Sequence, residues 1–316
     1  MKILVTGGAG YIGSVLVRRL IESGNEVRIL DKFLFGLESV KEIMNNPRAD
    51  IMIGDVNDSQ TLEKAVSGMD AVVHLAAIVG DTACMAAETS TVIKTNFVSG
   101  AELAKLCKSN GIGKFIFAST CSVYGINNKI LDENSETNPI SLYAQTKLGA
   151  ENEILKETNR MATILRFATV YGLSPRMRFD LVINYLTLKA MKEKECFILG
   201  GNQWRCFVHT ADIAEAIKLV LEAKNERVAG QVFNVSSDNY QIKDIGKLIE
   251  KCIPDCNVEY KTDVEDKRTY MVSAEKIKGL GFEPKVTVEK GILEMKSALE
   301  KGQFKNPNDS KYYNYK

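Results

Sequence analysis

Met1-Lys2-Ile3-Leu4-Val5-Thr6-Gly7-Gly8-Ala9-Gly10-Tyr11-Ile12-Gly13 opens the chain. The first six residues predict a buried strand. The glycines that follow predict a tight turn. Ser14 to Ser23 carries an apolar stripe at helical spacing (Val15, Leu16, Leu20, Ile21), with Arg18 and Arg19 outward, and Gly24 closes it. A strand, a glycine turn and a helix in that order form a cradle for a nucleotide phosphate. Glycine lets the backbone turn tightly and approach the anion, and the helix N-terminus offers free N–H groups and the positive end of its dipole.

The rest of the 316 residues alternates strands with helices. Strands are expected at 26–31, 49–56, 70–77, 113–120, 162–168, 230–235 and 257–261. Helices are expected at 61–67, 92–110, 143–160, 181–192, 213–223 and 242–252. Such regular alternation predicts an α/β protein with a doubly wound parallel sheet. Residues 1–170 are expected to form the dinucleotide-binding part, with 207–237 returning to it. Residues 171–316 mainly form a smaller α/β substrate-binding part. Residues 78–91 have the composition of a loop with a short helix, as a substrate-facing lid would. The polar, tyrosine-rich stretch 306–316 is expected to fray or to dock on a partner.

Composition bounds the function. Net charge is +1 and hydrophobic content is 45%, with no basic stripe for a nucleic acid and no apolar run long enough to span a membrane. Seven irregularly spaced cysteines and two histidines form no zinc pattern, so no metal is expected and the thiols are read as reduced, in a cytosolic protein. The N-terminus does not have the make-up of a signal peptide.

Asp31 ends the second strand, where the dinucleotide fold holds the adenosine ribose diol. A carboxylate there would repel a 2′-phosphate, which favours NAD, although Lys32 beside it counts the other way. The competing reading of Asp31 is a strand-end turn residue. Asp55 ends the third strand and could take an adenine amino group beside Val56. His74 reads as a core histidine. Asn96 is a polar residue on a partly apolar helix face. Ser119 and Thr120 end the fifth strand, where an open α/β sheet presents its ligand crevice. Tyr143 and Lys147 are four apart and share a helix face. An ammonium there can stabilise phenolate and draw the tyrosine from about 10 toward neutrality, the range a base needs to take a sugar hydroxyl proton as hydride leaves the same carbon.

Four stretches occur in the order of one known family: Thr6 to Gly13, His74-Leu75-Ala76-Ala77, Ser119-Thr120-Cys121-Ser122-Val123-Tyr124-Gly125, and Tyr143-Ala144-Gln145-Thr146-Lys147. The chain resembles, over nearly its whole length, the extended short-chain dehydrogenase/reductases, and within them the NAD-dependent nucleotide-sugar epimerases and dehydratases. The resemblance implies a Rossmann sheet and tightly held NAD, contacted by Gly7, Gly10, Tyr11, Ile12, Asp31, Asp55, Val56, Leu75, Ala76, Ala77, Asn96, Ser119, Tyr143 and Lys147. It implies Tyr143 as base, Lys147 as its partner and Thr120 as the third catalytic residue. Arg205 and Arg268 match the family's diphosphate-binding arginines, the alternative being surface charge. Asn184 resembles its substrate-phosphate asparagine. Cys121, Ser122, Arg176 and Arg178 are expected at the sugar or its phosphates, the two arginines being equally readable as a solvated basic turn. A homodimer packed through helices 92–110 and 143–160 is implied as well.

One departure bears on the reaction. The 4,6-dehydratases carry Asp-Glu after the active-site threonine, and here Cys121 and Ser122 stand in those places; some 5,6-dehydratases share the cysteine but keep a glutamate where Ser122 stands. The expectation is therefore oxidation at C4, with hydride returned to the other face in a 4-epimerase. The alternatives are a net C4 dehydrogenase, which Arg166 to Arg178 resembles in its GDP-heptose form, a 5,6-dehydratase, and a non-catalytic NAD sensor.

Overall fold

The computed structural model describes residues 1–261 and 269–314. Seven strands make the central sheet: β1 (Lys2–Thr6), β2 (Glu26–Asp31), β3 (Ala49–Ile53), β4 (Ala71–His74), β5 (Lys114–Thr120), β6 (Thr163–Phe167) and β7 (Val232–Val235). Their order is β7-β6-β5-β4-β1-β2-β3, and every pairing is parallel. The central strands are nearly continuous runs of apolar residues because both faces of such a sheet are covered. On one face lie α1 (Gly13–Glu22) and, further along the chain, Thr210–Glu222, which pack on each other. On the other lie α2 (Ser59–Val66), α3 (Ser99–Ser109) and α4 (Leu142–Glu157), over a core of Leu62, Leu103, Phe115, Phe117 and Ile154.

The order in which strands are added to the sheet reverses between β1 and β4. β2 and β3 build outward on one side, and β5, β6 and β7 on the other. A crevice therefore opens at the carboxyl ends of β1 and β4, where such sheets bind ligands. Strand β7 returns to this sheet from the second half. The remainder of that half is built on a three-stranded sheet (Thr169–Tyr171, Trp204–His209, Asp238–Gln241) and on Glu195–Leu199 paired with Asn257–Lys261. Helices Val182–Glu193, Ile242–Cys252 and Val288–Glu300 close a separate core around Tyr171, Phe207, Ile245 and Ile292.

Several elements differ from expectation, the strands Thr169–Tyr171, Trp204–His209 and Asp238–Gln241 among them. The helix expected at 92–110 is helical from Thr89 to Ser109, with a π turn over Lys94–Val98. That wider turn holds Asn96, which faces inward. Helix Val288–Glu300 and strand Glu195–Leu199 are additional to the sequence expectation. The described tail, through residue 314, docks on its own chain. Tyr312 meets Phe179 and Phe304 edge-on, at 5.4 and 5.8 Å between centroids, and its carbonyl accepts from Phe179 N–H at 2.9 Å. Packing of the half-buried Tyr312 on the buried Phe179 and Phe304 favours docking over fraying. No helix among the described residues is long and apolar enough to cross a membrane.

Candidate active site

A cavity of about 880 Å³ runs along the crevice. At one end is the glycine turn. Gly7 has φ +70° and lies so close to the end of β4 that a Cβ would sit 2.8 Å from Ala76 N; a Cβ on Gly13 would sit 2.2 Å from Gly7 O. No side chain caps α1; Ser14 and Val15 N–H bond back to Gly10 O (2.9 Å) and Ile12 O (3.2 Å), and the residues just before them, Tyr11, Ile12 and Gly13, line the cavity wall. Asp31 closes the turn from β2: Oδ2 accepts from Ala9 N–H at 3.0 Å and Oδ1 from Phe33 N–H at 2.8 Å. Burial pushes its carboxyl up, against the pull of these N–H groups. Lys32 is paired with Asp55 at 2.9 Å. Burial would raise the Asp55 carboxyl, but the bond to Lys32 and a backbone N–H from Asn57 outweigh it and hold the group low. Val56, Leu75, Ala76 and Ala77 line the cavity between these points.

At the other end, α4 begins with Ser141, whose hydroxyl accepts from Ala144 N–H at 3.3 Å. This cap fixes the first turn and so the place of Tyr143, one turn before Lys147. Both side chains line the cavity beside Ser119, Thr120 and Ser122. Thr120 Oγ1 accepts from Ser122 N–H at 3.1 Å. Burial keeps the Tyr143 phenol well above its ordinary value; the Cys84 thiol adds to this, while Arg178 and a hydrogen bond with Thr120 pull it down. Burial also lowers Lys147 to about 7, although Glu151 and Cys84 favour its charge. Its ammonium lies 4.0 Å from the centroid of Phe117. The fall of the tyrosine toward neutrality expected from Lys147 is therefore not produced by the protein alone, where desolvation dominates.

The family model for the NAD-dependent epimerase/dehydratase family matches residues 3–236. The chain belongs to this family. It is 30% identical to a UDP-glucose 4-epimerase of Corynebacterium glutamicum, over 93% of this chain and 94% of that one. It is also 30% identical to the dTDP-D-glucose 4,6-dehydratase of Mus musculus, over 92% of this chain and 86% of the other. The crystal structure of a UDP-glucuronic acid 4-epimerase from Bacillus cereus, in complex with UDP-glucuronic acid and NAD, superposes with a TM-score of 0.84 at 29% identity, covering 95% of this chain and 99% of that one. The protein is thus an NAD-dependent enzyme of nucleotide-sugar chemistry. The close-approach glycines, the uncapped helix and Asp31 fit that cofactor.

Several residues expected at ligands are placed elsewhere by this family member's structure. Cys121 is fully buried, because the 3-10 turn Cys121–Tyr124 rolls it under β5, where its thiol donates to Arg166 O at 3.2 Å. Asn184 is also fully buried. Its Oδ1 accepts from Gly172 N–H (3.0 Å), and its Nδ2 donates to Tyr11 Oη (2.9 Å) and Arg178 O (2.8 Å). Asn96 fixes the start of the 78–91 loop, accepting from Ile78 N–H (2.8 Å) and donating to Ile78 O (2.9 Å). None of these three lines the cavity. Tyr11 does, but its phenol donates to Gly172 O at 2.6 Å and so ties the glycine turn to the second half. His74 is a core residue, with Nδ1 2.6 Å from Thr6 Oγ1 and its ring against Phe117.

The second half supplies the opposite wall. Arg205, Gln203, Tyr270 and Arg178 line it, with Arg178 bonded through Nε and Nη2 to Asp180 (3.0 and 2.6 Å). Trp204, on the same strand as Arg205, is not part of the lining. Arg268 lies outside the described residues.

Sequence reasoning missed the support beneath the site. Glu151 is the third member of the Tyr143–Lys147 helix face and is 2% exposed. Its carboxylate accepts from the Ser119 hydroxyl and from Arg166, at 3.0 Å to Nε and 2.7 Å to Nη2. Arg166 continues to Tyr124 Oη (3.0 Å), which donates to Asn234 (2.8 Å). The Ser119 hydroxyl is thereby committed away from the reacting end. The i, i+4, i+8 spacing of Tyr143, Lys147 and Glu151 was the available signal.

Proposed function

We propose that the enzyme is a nucleotide-sugar 4-epimerase. The observation that carries this is the grouping of Thr120, Tyr143 and Lys147 at the end of β5 with no carboxylate after Thr120, since Cys121 is buried and Ser122 is a hydroxyl. Bound NAD supplies the hydride acceptor and donor at C4. Thr120 and Tyr143 hold the C4 oxygen, and Tyr143 takes its proton. Lys147, while charged, stabilises the phenolate that this requires. The 4-keto sugar then turns within the cavity, and Tyr143 returns the proton after reduction from the other face. Arg205 takes the substrate diphosphate, for which a guanidinium suits the paired oxygens. A homodimer belongs to the same proposal; exposed Ile93 and Val98 on the 89–109 helical run give it an apolar face.

The test incubates the protein with UDP-, GDP-, CDP- and dTDP-hexoses, following the sugar by NMR and the cofactor by absorbance. Inversion at C4 without accumulation of NADH supports the proposal. Stoichiometric NADH with a 4-keto product would make it a net dehydrogenase instead. Tyr143→Phe should retain NAD and lose about 10²- to 10⁴-fold in turnover; turnover at the wild-type rate would refute the role given to Tyr143.

A further inference from the structure

Arg176 and Arg178 are two residues apart but are placed differently. Arg178 is paired with Asp180. Arg176 stands over the glycine turn of the first half, 94% buried. Its backbone N–H points at Ser174 Oγ (3.2 Å) and at Ser14 Oγ on the first turn of α1 (3.4 Å). Its guanidinium carbon lies 3.6 Å from the centroid of Phe35, in the loop after Asp31. The loop is fastened down by Tyr11 to Gly172 and by Ser174, which donates to Tyr11 O at 2.7 Å. Nε and Nη2 are buried, and no described residue accepts a hydrogen bond from either.

A guanidinium in that state is unfavourable in the protein alone. Burial and the nearby Arg178 charge lower Arg176 to about 10, only partly offset by Asp180 and Asp31. Unmade charged hydrogen bonds in a buried place are retained where a ligand makes them. Arg176 lines the cavity together with the N-terminal turn of α1 and Asp31. A ligand lying there must carry oxygens for a planar fork and negative charge for the helix end. A diphosphate has both.

We propose that Arg176, delivered from the second half, closes over the diphosphate of bound NAD and is not a substrate residue. The proposal rests on the NAD assignment and not on the 4-epimerase reaction. The cofactor is then gripped by both halves, and its release requires the 172–178 loop to lift off the glycine turn.

Titration of the full-length, NAD-stripped protein with NAD, ADP and adenosine tests this without turnover. Arg176→Met keeps an apolar stem on Phe35 and removes the charge. It should weaken NAD and ADP roughly 10- to 100-fold, leave adenosine unchanged, and flatten the salt dependence of NAD binding. Unchanged NAD and ADP affinity would overturn the proposal. So would an equal loss for adenosine, which would place the residue at the nucleoside. If the methionine variant does not fold, Arg176→Lys is read by the same criteria: weaker NAD and ADP with unchanged adenosine supports it, and three unchanged affinities refute it.

Discussion

Replacing Glu151 by Gln removes one charge from beneath the active site and changes almost no volume. The carboxylate accepts from Arg166 and from Ser119, with the two charged side chains only 3% and 7% exposed. Glutamine can keep one acceptor, but its amide N–H₂ then confronts the guanidinium, and Arg166 is left charged in a buried place. Breaking a buried pair in this way costs about 3–5 kcal/mol, a large part of a total stability of about 5–15 kcal/mol. The measurement is urea unfolding of the NAD-stripped protein, comparing Glu151→Gln, Arg166→Met and the double variant. The double variant should recover most of either single loss, because the unpaired charge is gone. A loss under about 1 kcal/mol for Glu151→Gln, or simple additivity in the double variant, would refute the reasoning. The same substitution has a functional readout. Glu151 favours the charged form of Lys147, which burial has lowered to about 7. Without Glu151 that group loses its proton at lower pH, so turnover should fall off at lower pH than in the wild type.

Lys147→Met should abolish turnover yet stabilise the NAD-stripped protein near neutrality. The folded-state value of about 7 lies below the ordinary 10.5, so the unfolded chain binds the extra proton between the two. The charged lysine thus costs up to roughly 5 kcal/mol below pH 7, and the penalty fades as pH rises toward 10.5. A methionine variant less stable than wild type at pH 6.5, or an advantage independent of pH, would contradict this. Gly7→Ala should lose NAD on purification, seen in the 260/280 nm absorbance ratio, because its Cβ would press on Ala76 N at 2.8 Å. Gly24→Ala, equally strained at φ +85° but with nothing within 4 Å, should keep the cofactor. Equal NAD content in the two variants would show that strain, and not the close approach to β4, decides retention.

What was legible in the sequence was local. The strand, turn and helix of residues 1–22 lie in one continuous segment, and the positions of Tyr143 and Lys147 on one face follow from helical spacing alone. What was not legible depends on elements that meet only on folding. Tyr11 and Gly172 are 161 residues apart, and Asn184 is buried against the same phenol, outside the cavity lining. Arg176 reads as part of a basic turn beside Arg178 until the loop is seated on Ser14. Cys121 follows Thr120 directly, so linear order suggested a side chain at the substrate, but a 3-10 turn rolls it into the core. Glu151 carries no motif; its role shows only when β6 brings Arg166 beside it. The tail was read from its polarity, and the partner that settles it, Phe179, belongs to the same chain.

In the proposed 4-epimerase, hydride leaves C4 of a nucleotide sugar and returns to the same carbon from the other face, within one cavity. The direct measurement uses a UDP-hexose deuterated at C4, with NMR of the product. A 4-epimerase gives a C4 epimer that keeps its deuterium at C4, with no solvent hydrogen entering the sugar and no net NADH. Loss of the deuterium into free NADH, or solvent hydrogen at C6 beside a 4-keto group, would contradict it.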